Sequence, residues 1–444
     1  MDSHQQETGQ ENKAWLAFLE CSEALEHAQL AVELRSRSRD EESAFSGDYD
    51  YLMDSSRFNE IALTFFRVCV AHGVSFQIRH RAAFKHRIYI FHADGRSILF
   101  EFWPHAELTT DSLDNGWSYL TYQRFLKACE AGFKEETLAL LYVCHLFFKR
   151  KDLVSPQVQW RLEDFTHRMG GRVNQGGEHA SFSSEIRQLF KRIIDKELIL
   201  SEANQEALNL LVSRDIQVEN CRAAKWSKLR TIAARPFRGW GGKIVPCVGP
   251  DGSGKTYFIA AVMDRVNERS LNATSTRFKR LFRKNKIYSL ISKRYRSGRD
   301  MPKNVADEQL ASFLYWVSLP AYMWQILKSL NKKAVFMDRF FLEFMVRGYR
   351  DGEQGIKQIA GYSILSRLIP EPRRMIVLTA DQGLITSRKT DLSPEAIEDF
   401  YSRYLSYALD QKVASVLFLN SRRPGDELAE CCLKSFGMVE KTKP

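Results

Sequence analysis

The alternation of apolar and polar positions divides the chain into stretches of different period. Residues 11–35 carry apolar side chains at helical spacing and predict an amphipathic helix, followed by a polar loop to about Asp54. RFNEIALTFFRVCVAHG, residues 57–73, predicts a second helix stopped at Gly73. Three short β-like runs come next, VSFQIR (74–79), HRIYIF (86–91) and SILFEFW (97–103). The last two are joined by His92-Ala93-Asp94-Gly95, whose Asp-Gly is a hairpin signal. From about 119 to 235 the pattern is helical, with ETLALLYVCHLFF as its clearest apolar helix and the Gly-rich GGRVNQGGEHASFSS (170–184) as an interruption. RPFRGWGGK (235–243) combines Pro, Gly and cations and reads as a linker. The pattern therefore predicts an α+β domain over 1–118, a helical domain over 119–234, a linker over 235–243 and an α/β domain over 244–444.

Composition narrows the class. A chain of 444 residues favours two or three domains, and 44% hydrophobic with 27% charged residues excludes disordered, collagen-like and disulfide-stapled classes. The eight cysteines are scattered through apolar runs, with no zinc-like spacing, which predicts buried reduced thiols in a cytoplasmic protein. MDSHQQETGQEN has neither a basic n-region nor an apolar h-region, so no secretory leader is expected. The uncharged stretch Leu310–Leu327 is interrupted by Pro320 and has its aromatics Tyr315, Trp316, Tyr322 and Trp324 at the centre. That arrangement predicts a buried or partner-covered helix rather than a membrane span. A peripheral membrane contact through 271–330 is the alternative.

The net charge of +11 is uneven. Residues 221–243 carry seven Lys/Arg and no acid, and residues 271–300 carry ten against the single acid Asp300. The first 60 residues run the other way, with 14 acids against five bases. The basic windows flank one segment on both sides and point to a local anionic partner.

That segment is KIVPCVGPDGSGKTYFIAAVMDRV. An apolar strand, Ile244–Val248, leads into Gly249-Pro250-Asp251-Gly252-Ser253-Gly254-Lys255-Thr256 and then a helix. The spacing G-x-x-x-x-G-K-T in a strand–loop–helix setting is a phosphate-binding loop. Its glycines let backbone N–H groups converge on phosphate oxygens, Lys255 would reach the β- and γ-phosphates, and the Thr256 hydroxyl would complete a Mg²⁺ shell.

The string VGPDGSGKT resembles the first loop of the thymidylate kinase-like group of P-loop kinases. Ala334–Phe340 (AVFMDRF) resembles that group's strand ending in Asp-Arg-aromatic. Arg374–Thr379 resembles a later strand, leading to Asp381 and to Ser387-Arg388-Lys389-Thr390-Asp391 at the place of the basic lid. EAIEDFYSRYLSYALDQ is similar to the last helix, with Phe400, Arg403, Tyr404 and Ala408 in its rhythm. The resemblance covers about 243–420 and implies an α/β P-loop kinase domain with a parallel sheet and its site at the strands' carboxyl ends. It implies ATP and Mg²⁺ as cofactors, Arg339 as a clamp on the acceptor or transferring group, and Arg388 with Lys389 as a lid. Asp338 would hold Mg²⁺ through water, or act as general base if the acceptor is a hydroxyl.

The departures fall on acceptor recognition. The group's Arg-Glu-Pro-Gly stretch is replaced by TSTRFKRLFRKNK, and its base-contacting Ser-x-x-Ala-Tyr-Gln by Phe341-Leu342-Glu343-Phe344-Met345. Phe278, Phe282, Tyr288 and Tyr295 alternate with cations over 277–299, which suits an anionic acceptor. A sugar or glycan hydroxyl is thus the expected acceptor. A nucleoside monophosphate is the alternative, and an ATP-binding regulator or nucleic-acid binder a third reading, nucleic acid being the disfavoured partner. The N-terminal half resembles the nucleotidyltransferase fold, which precedes such kinase domains in some bacterial polysaccharide-cluster proteins. Its strands offer Glu101 but no Asp-x-Asp, and His80, His86, His92 and His105 share no helix-face spacing, so an inert recognition or scaffolding domain is expected.

Overall fold

The computed structural model describes residues 3–34, 45, 48–81, 85–92, 94–107, 117–148, 153, 155–170, 178–213, 219–221, 243–277, 286–298, 319–320, 323–324, 327–328, 331–338, 372–380, 382–388, 393–410 and 413–438. The linker residues 235–242, Arg339, Asp381, Lys389, Phe278, Phe282, Phe341–Met345 and most of 310–327 lie outside these.

Helix α1 (Ser3–His27) is followed by strands β1 (Ala31–Glu33) and β2 (Asp48–Met53). This corrects the expected helix over 11–35 and the polar loop after it. Gln29 takes φ +48 and turns the chain out of the helix, and β2 begins by alternating Asp48 and Asp50 with Tyr49 and Tyr51 before the apolar Leu52 and Met53, a short period of two that reads as loop when scanned for helix. Helix α2 (Phe58–Ala71) leads into β3 (Ser75–Arg81), β4 (Lys85–Phe91) and β5 (Ser97–Trp103), close to the predicted runs. Gly95 at φ +91 makes the β4–β5 turn at the predicted Asp-Gly.

The helical stretch is bracketed by strands. After β6 (His105–Glu107) and β7 (Trp117–Thr121) come α3 (Tyr122–Glu130), α4 (Lys134–Phe148), α5 (Pro156–Gly170), α6 (Glu178–Ile194) and α7 (Leu200–Ser213), and then β8 (Glu219–Cys221). β6, β7 and β8 form a small antiparallel sheet that the helical period hid. The helices enclose their own core around Phe125, Leu141, Phe182 and Phe190.

The last part is α/β: β9 (Ile244–Val248), α8 (Lys255–Glu268), β10 (Ala273–Arg277), α9 (Lys286–Ser297), β11 (Ala334–Asp338), β12 (Arg374–Thr379), α10 (Gln382–Arg388), α11 (Pro394–Asp410), β13 (Ser415–Asn420) and α12 (Gly425–Ser435). Its five strands are parallel in the order β10-β11-β9-β12-β13. All five residues of β9 are buried, as a central strand requires.

One ten-stranded sheet joins the first and last parts, in the order β1-β2-β5-β4-β3-β13-β12-β9-β11-β10. The joint is antiparallel, with Phe76 opposite Phe418 and Ile78 opposite Val416. The molecule is thus a mixed α/β protein. On one face, α1, α2 and α11 share a continuous core in which Phe76 stacks on Phe418 at 4.4 Å and Phe66 touches Tyr401. On the other, α8 and α12 cover the parallel strands. Among the described residues no helix is long and apolar enough to cross a membrane.

Candidate functional site

The chain turns out of the central strand β9 directly into α8, and the intervening loop is held by geometry only glycine allows. Gly252 and Gly254 sit at φ +94 and +83. A Cβ on Gly249 would lie 2.5 Å from Ser253 Oγ and 2.9 Å from the Leu378 carbonyl. At Gly254 a Cβ would meet nothing within 4 Å, so the loop's hollow opens there. The Ser253 hydroxyl is buried and has no hydrogen-bond partner among the described residues. The N-terminal N–H groups of α8, from Lys255 on, have no intrahelical acceptor and add positive potential.

Lys255 is 8% exposed, and its Nζ donates to the carbonyls of Gly249 at 2.7 Å and Pro250 at 2.8 Å, with Asp251 Oδ1 at 3.7 Å. Thr256 is exposed at the mouth of the loop. Asp338 ends β11 in register with Cys247 of β9, one strand spacing from the loop. Burial pushes the Cys247 thiol up; the Asp338 carboxylate adds to the rise and Lys255 opposes it, so both charges act at this strand end. From 136 residues away, Arg388 at the end of α10 donates from Nη1 to the Gly252 carbonyl at 3.1 Å. Gly249, Asp251, Gly252, Ser253, Gly254, Lys255, Thr256, Asp338 and Arg388 are therefore brought to one end of the sheet.

An orphaned buried hydroxyl, an open glycine hollow and a cation held on backbone carbonyls together fit a polyphosphate. Sequence reasoning missed Tyr401. Its buried hydroxyl donates to the Leu378 carbonyl at 3.2 Å and accepts from Ala380 N–H at 3.1 Å, which fixes the strand end against which Gly249 is packed. The resemblance of α11 drew attention to Tyr404 and Ala408, which are buried, but Tyr401, equally buried, carries no separate signal in the sequence.

The expectation that the N-terminal strands lack Asp-x-Asp is overturned. Asp48-Tyr49-Asp50 lies on β2, parallel to β5 with Asp50 opposite Glu101. Oxygens of Asp48, Asp50 and Glu101 all fall within 4.8 Å of one another. The signal was present in SGDYDYLM, hidden by assigning the segment to a loop. Yet Lys85 Nζ and Arg87 Nη2 each stand 2.5 Å from a Glu101 oxygen, and Trp103 Nε1 donates to Asp50 Oδ1 at 2.9 Å. A metal entering here would compete with two side-chain cations already paired in a buried network. His80 and His86, opposite each other across the β3–β4 ladder, meet at 2.9 Å beside Phe58, half-buried and not among the residues of this cluster.

A cavity of about 520 Å³ lies between β3–β5 and α8 with α12; of the cations on its rim, Arg265 pairs with Glu268 and Arg269 with Glu430. In α9, Lys293 and Arg294 are exposed and Leu290 is 70% exposed. No protein-family model and no curated protein matches the sequence.

Proposed function

We propose that the chain is an ATP-dependent phosphotransferase of the P-loop kinase type, acting on a hydroxyl of a sugar or glycan. The contact of Arg388 with the Gly252 carbonyl carries this reading, because a nucleotide-holding loop alone needs no second cation from a distant helix. Phosphoryl transfer does need one, since charge spreads over the transferring group. The strand order around β9, with connections running to both sides of it, supports a crevice at the loop.

ATP with Mg²⁺ supplies the phosphoryl group and part of its charge neutralisation when bound. The loop N–H groups and Lys255 would hold the phosphates, and Thr256 would hold the metal, with Asp338 joining it through water only where the acceptor is not a hydroxyl. Arg388, held on the Gly252 carbonyl, would close over the γ-phosphoryl group, and Arg339, following Asp338, would clamp the acceptor. For a hydroxyl acceptor, Asp338 takes the proton as the O–H bond breaks. Incubation with γ-labelled ATP, Mg²⁺ and panels of glycans, sugars and nucleotides tests the proposal, with Lys255→Ala as control. Label on a glycan or sugar supports it, and label on a nucleoside monophosphate moves the assignment to that class. ATP binding without Lys255-dependent transfer leaves a regulator.

The Asp48–Asp50–Glu101 trio favours a second reading for the N-terminal half, metal-dependent nucleotidyl transfer, against which the pairing of Glu101 weighs. Incorporation of α-labelled ATP that survives Lys255→Ala and is lost in Asp50→Asn would establish it. Without such incorporation the half is a recognition or scaffolding module.

A further inference from the structure

A cavity of about 380 Å³ opens where α1, the α2–β3 turn and the loop after β13 meet. We propose that it receives the nucleobase and ribose of the nucleotide whose phosphates lie on the P-loop, so that the N-terminal half forms one wall of the nucleotide site. The inference rests on the P-loop reading above and goes beyond it by assigning the base and by assigning residues outside the α/β part.

Position is the first argument. β13 lies two strands from β9, with Val377 opposite Val248 and Thr379 opposite Asn420, so the loop after Asn420 begins about 10 Å from the P-loop at strand spacings of about 4.8 Å. That is the reach of a nucleotide from its β-phosphate to its base. The start of α12, directly after that loop, packs against the P-loop helix: a Cβ on Gly425 would fall 2.7 Å from Cε1 of Tyr257, in the first turn of α8. Both features lie at the carboxyl ends of the parallel strands, where ligands of such sheets bind.

The walls are the second argument. Leu16, Val74 and Pro424 supply apolar surface, and Lys13, Asn420 and Arg422 supply polar groups, the mixture that orients a flat heterocycle and its sugar. The lining is held in place from both halves. Asn420 is 4% exposed; its N–H donates to Ser75 Oγ at 3.1 Å and its Oδ1 accepts from Arg422 N–H at 2.9 Å. Gly73, at φ +69, brings the turn so close that a Cβ would stand 3.1 Å from Asn420 Nδ2. A wall built this way is formed before the ligand arrives.

The test compares ATP with inorganic tripolyphosphate, each with Mg²⁺, by equilibrium binding to the full chain. Tripolyphosphate reads the P-loop alone. The inference expects ATP to bind about tenfold or more tighter than tripolyphosphate, an advantage lost in Leu16→Trp while tripolyphosphate affinity is kept. Leu16 is 42% exposed, and retained tripolyphosphate binding reports that the variant is folded. Lys13→Ala, at an exposed position, gives the same comparison should the bulkier side chain unfold α1, with a smaller loss expected. Equal binding of the two ligands, or an ATP advantage untouched by both variants, overturns the cavity assignment and leaves the P-loop reading standing. Binding of neither ligand by the wild type overturns both.

Discussion

At the scale of single residues, two glycines of one loop separate two physical costs. Gly249→Ala forces a methyl group against the Leu378 backbone carbonyl at 2.9 Å, which cannot rotate away, so a loss of about 1–3 kcal/mol is expected in denaturant unfolding. Gly254→Ala meets no atom and strains only its positive φ, costing about 1 kcal/mol. A larger effect at 254 than at 249 would contradict the described packing. Buried thiols give a pH prediction. Burial pushes Cys144 up to about 12 and half-buried Cys129 up to about 11, while an unfolded thiol titrates near about 8.5. The unfolded state therefore binds fewer protons above that value, so this contribution to stability is full below about pH 8.5 and is lost as pH rises toward 11–12. Denaturant midpoints should fall over that range, less steeply in Cys144→Ala. In the native protein at pH 8, Cys144, Cys247 and Cys432 should resist alkylation that unfolding releases.

At the scale of elements, α10 is the part whose role turns on one contact. Arg388→Ala removes the guanidinium from the Gly252 carbonyl without touching any described core cluster. Transfer should fall roughly 10²-fold in kcat with ATP affinity changed far less, and Arg388→Lys should recover part of it. Equal losses in kcat and in affinity would make Arg388 a binding residue only. How much of this was legible in the sequence follows from what each element depends on. β9, the glycine turn after it and α8 were legible because glycine spacing and an apolar strand are local features. Arg388 was legible only through resemblance, since a contact across 136 residues leaves no local pattern. β2 was not read at all, because Gln29 breaks the helical period early and its Asp-Tyr-Asp has polar residues on the face away from α1 and α2. The pairing of Glu101 with Lys85 and Arg87 depends on the β4–β5 register, which the hairpin turn sets but the strand sequences alone do not.

At the scale of the whole molecule, the expected boundary near residue 243 is crossed by a sheet. β13 pairs Ser415 to Phe418 with β3, and Phe66 and Phe76 cover Phe418 from the N-terminal side. A fragment of residues 243–444 would expose that ladder as a bare edge with Val416 and Phe418 on one apolar face, and unpaired edges of this kind associate with one another. Expressed alone, it should elute as oligomers or aggregate, whereas a monomeric, stable fragment would show that β3 is dispensable to the α/β part. In the full chain, Phe76→Ala deletes a stacked ring from the joint and should cost about 3–5 kcal/mol. Because one core spans the first and last parts, these should unfold together in one transition followed by far-UV circular dichroism and tryptophan fluorescence, separable from that of the helical part with its own core. Phe76→Ala should then lower that transition or split it, and the P-loop part should lose ATP affinity along with it if α1 and the α2–β3 turn wall the base cavity. Retention of full ATP affinity in a variant whose joint has separated would mean that the nucleotide is held by the α/β part alone, with β3 serving only to close its edge.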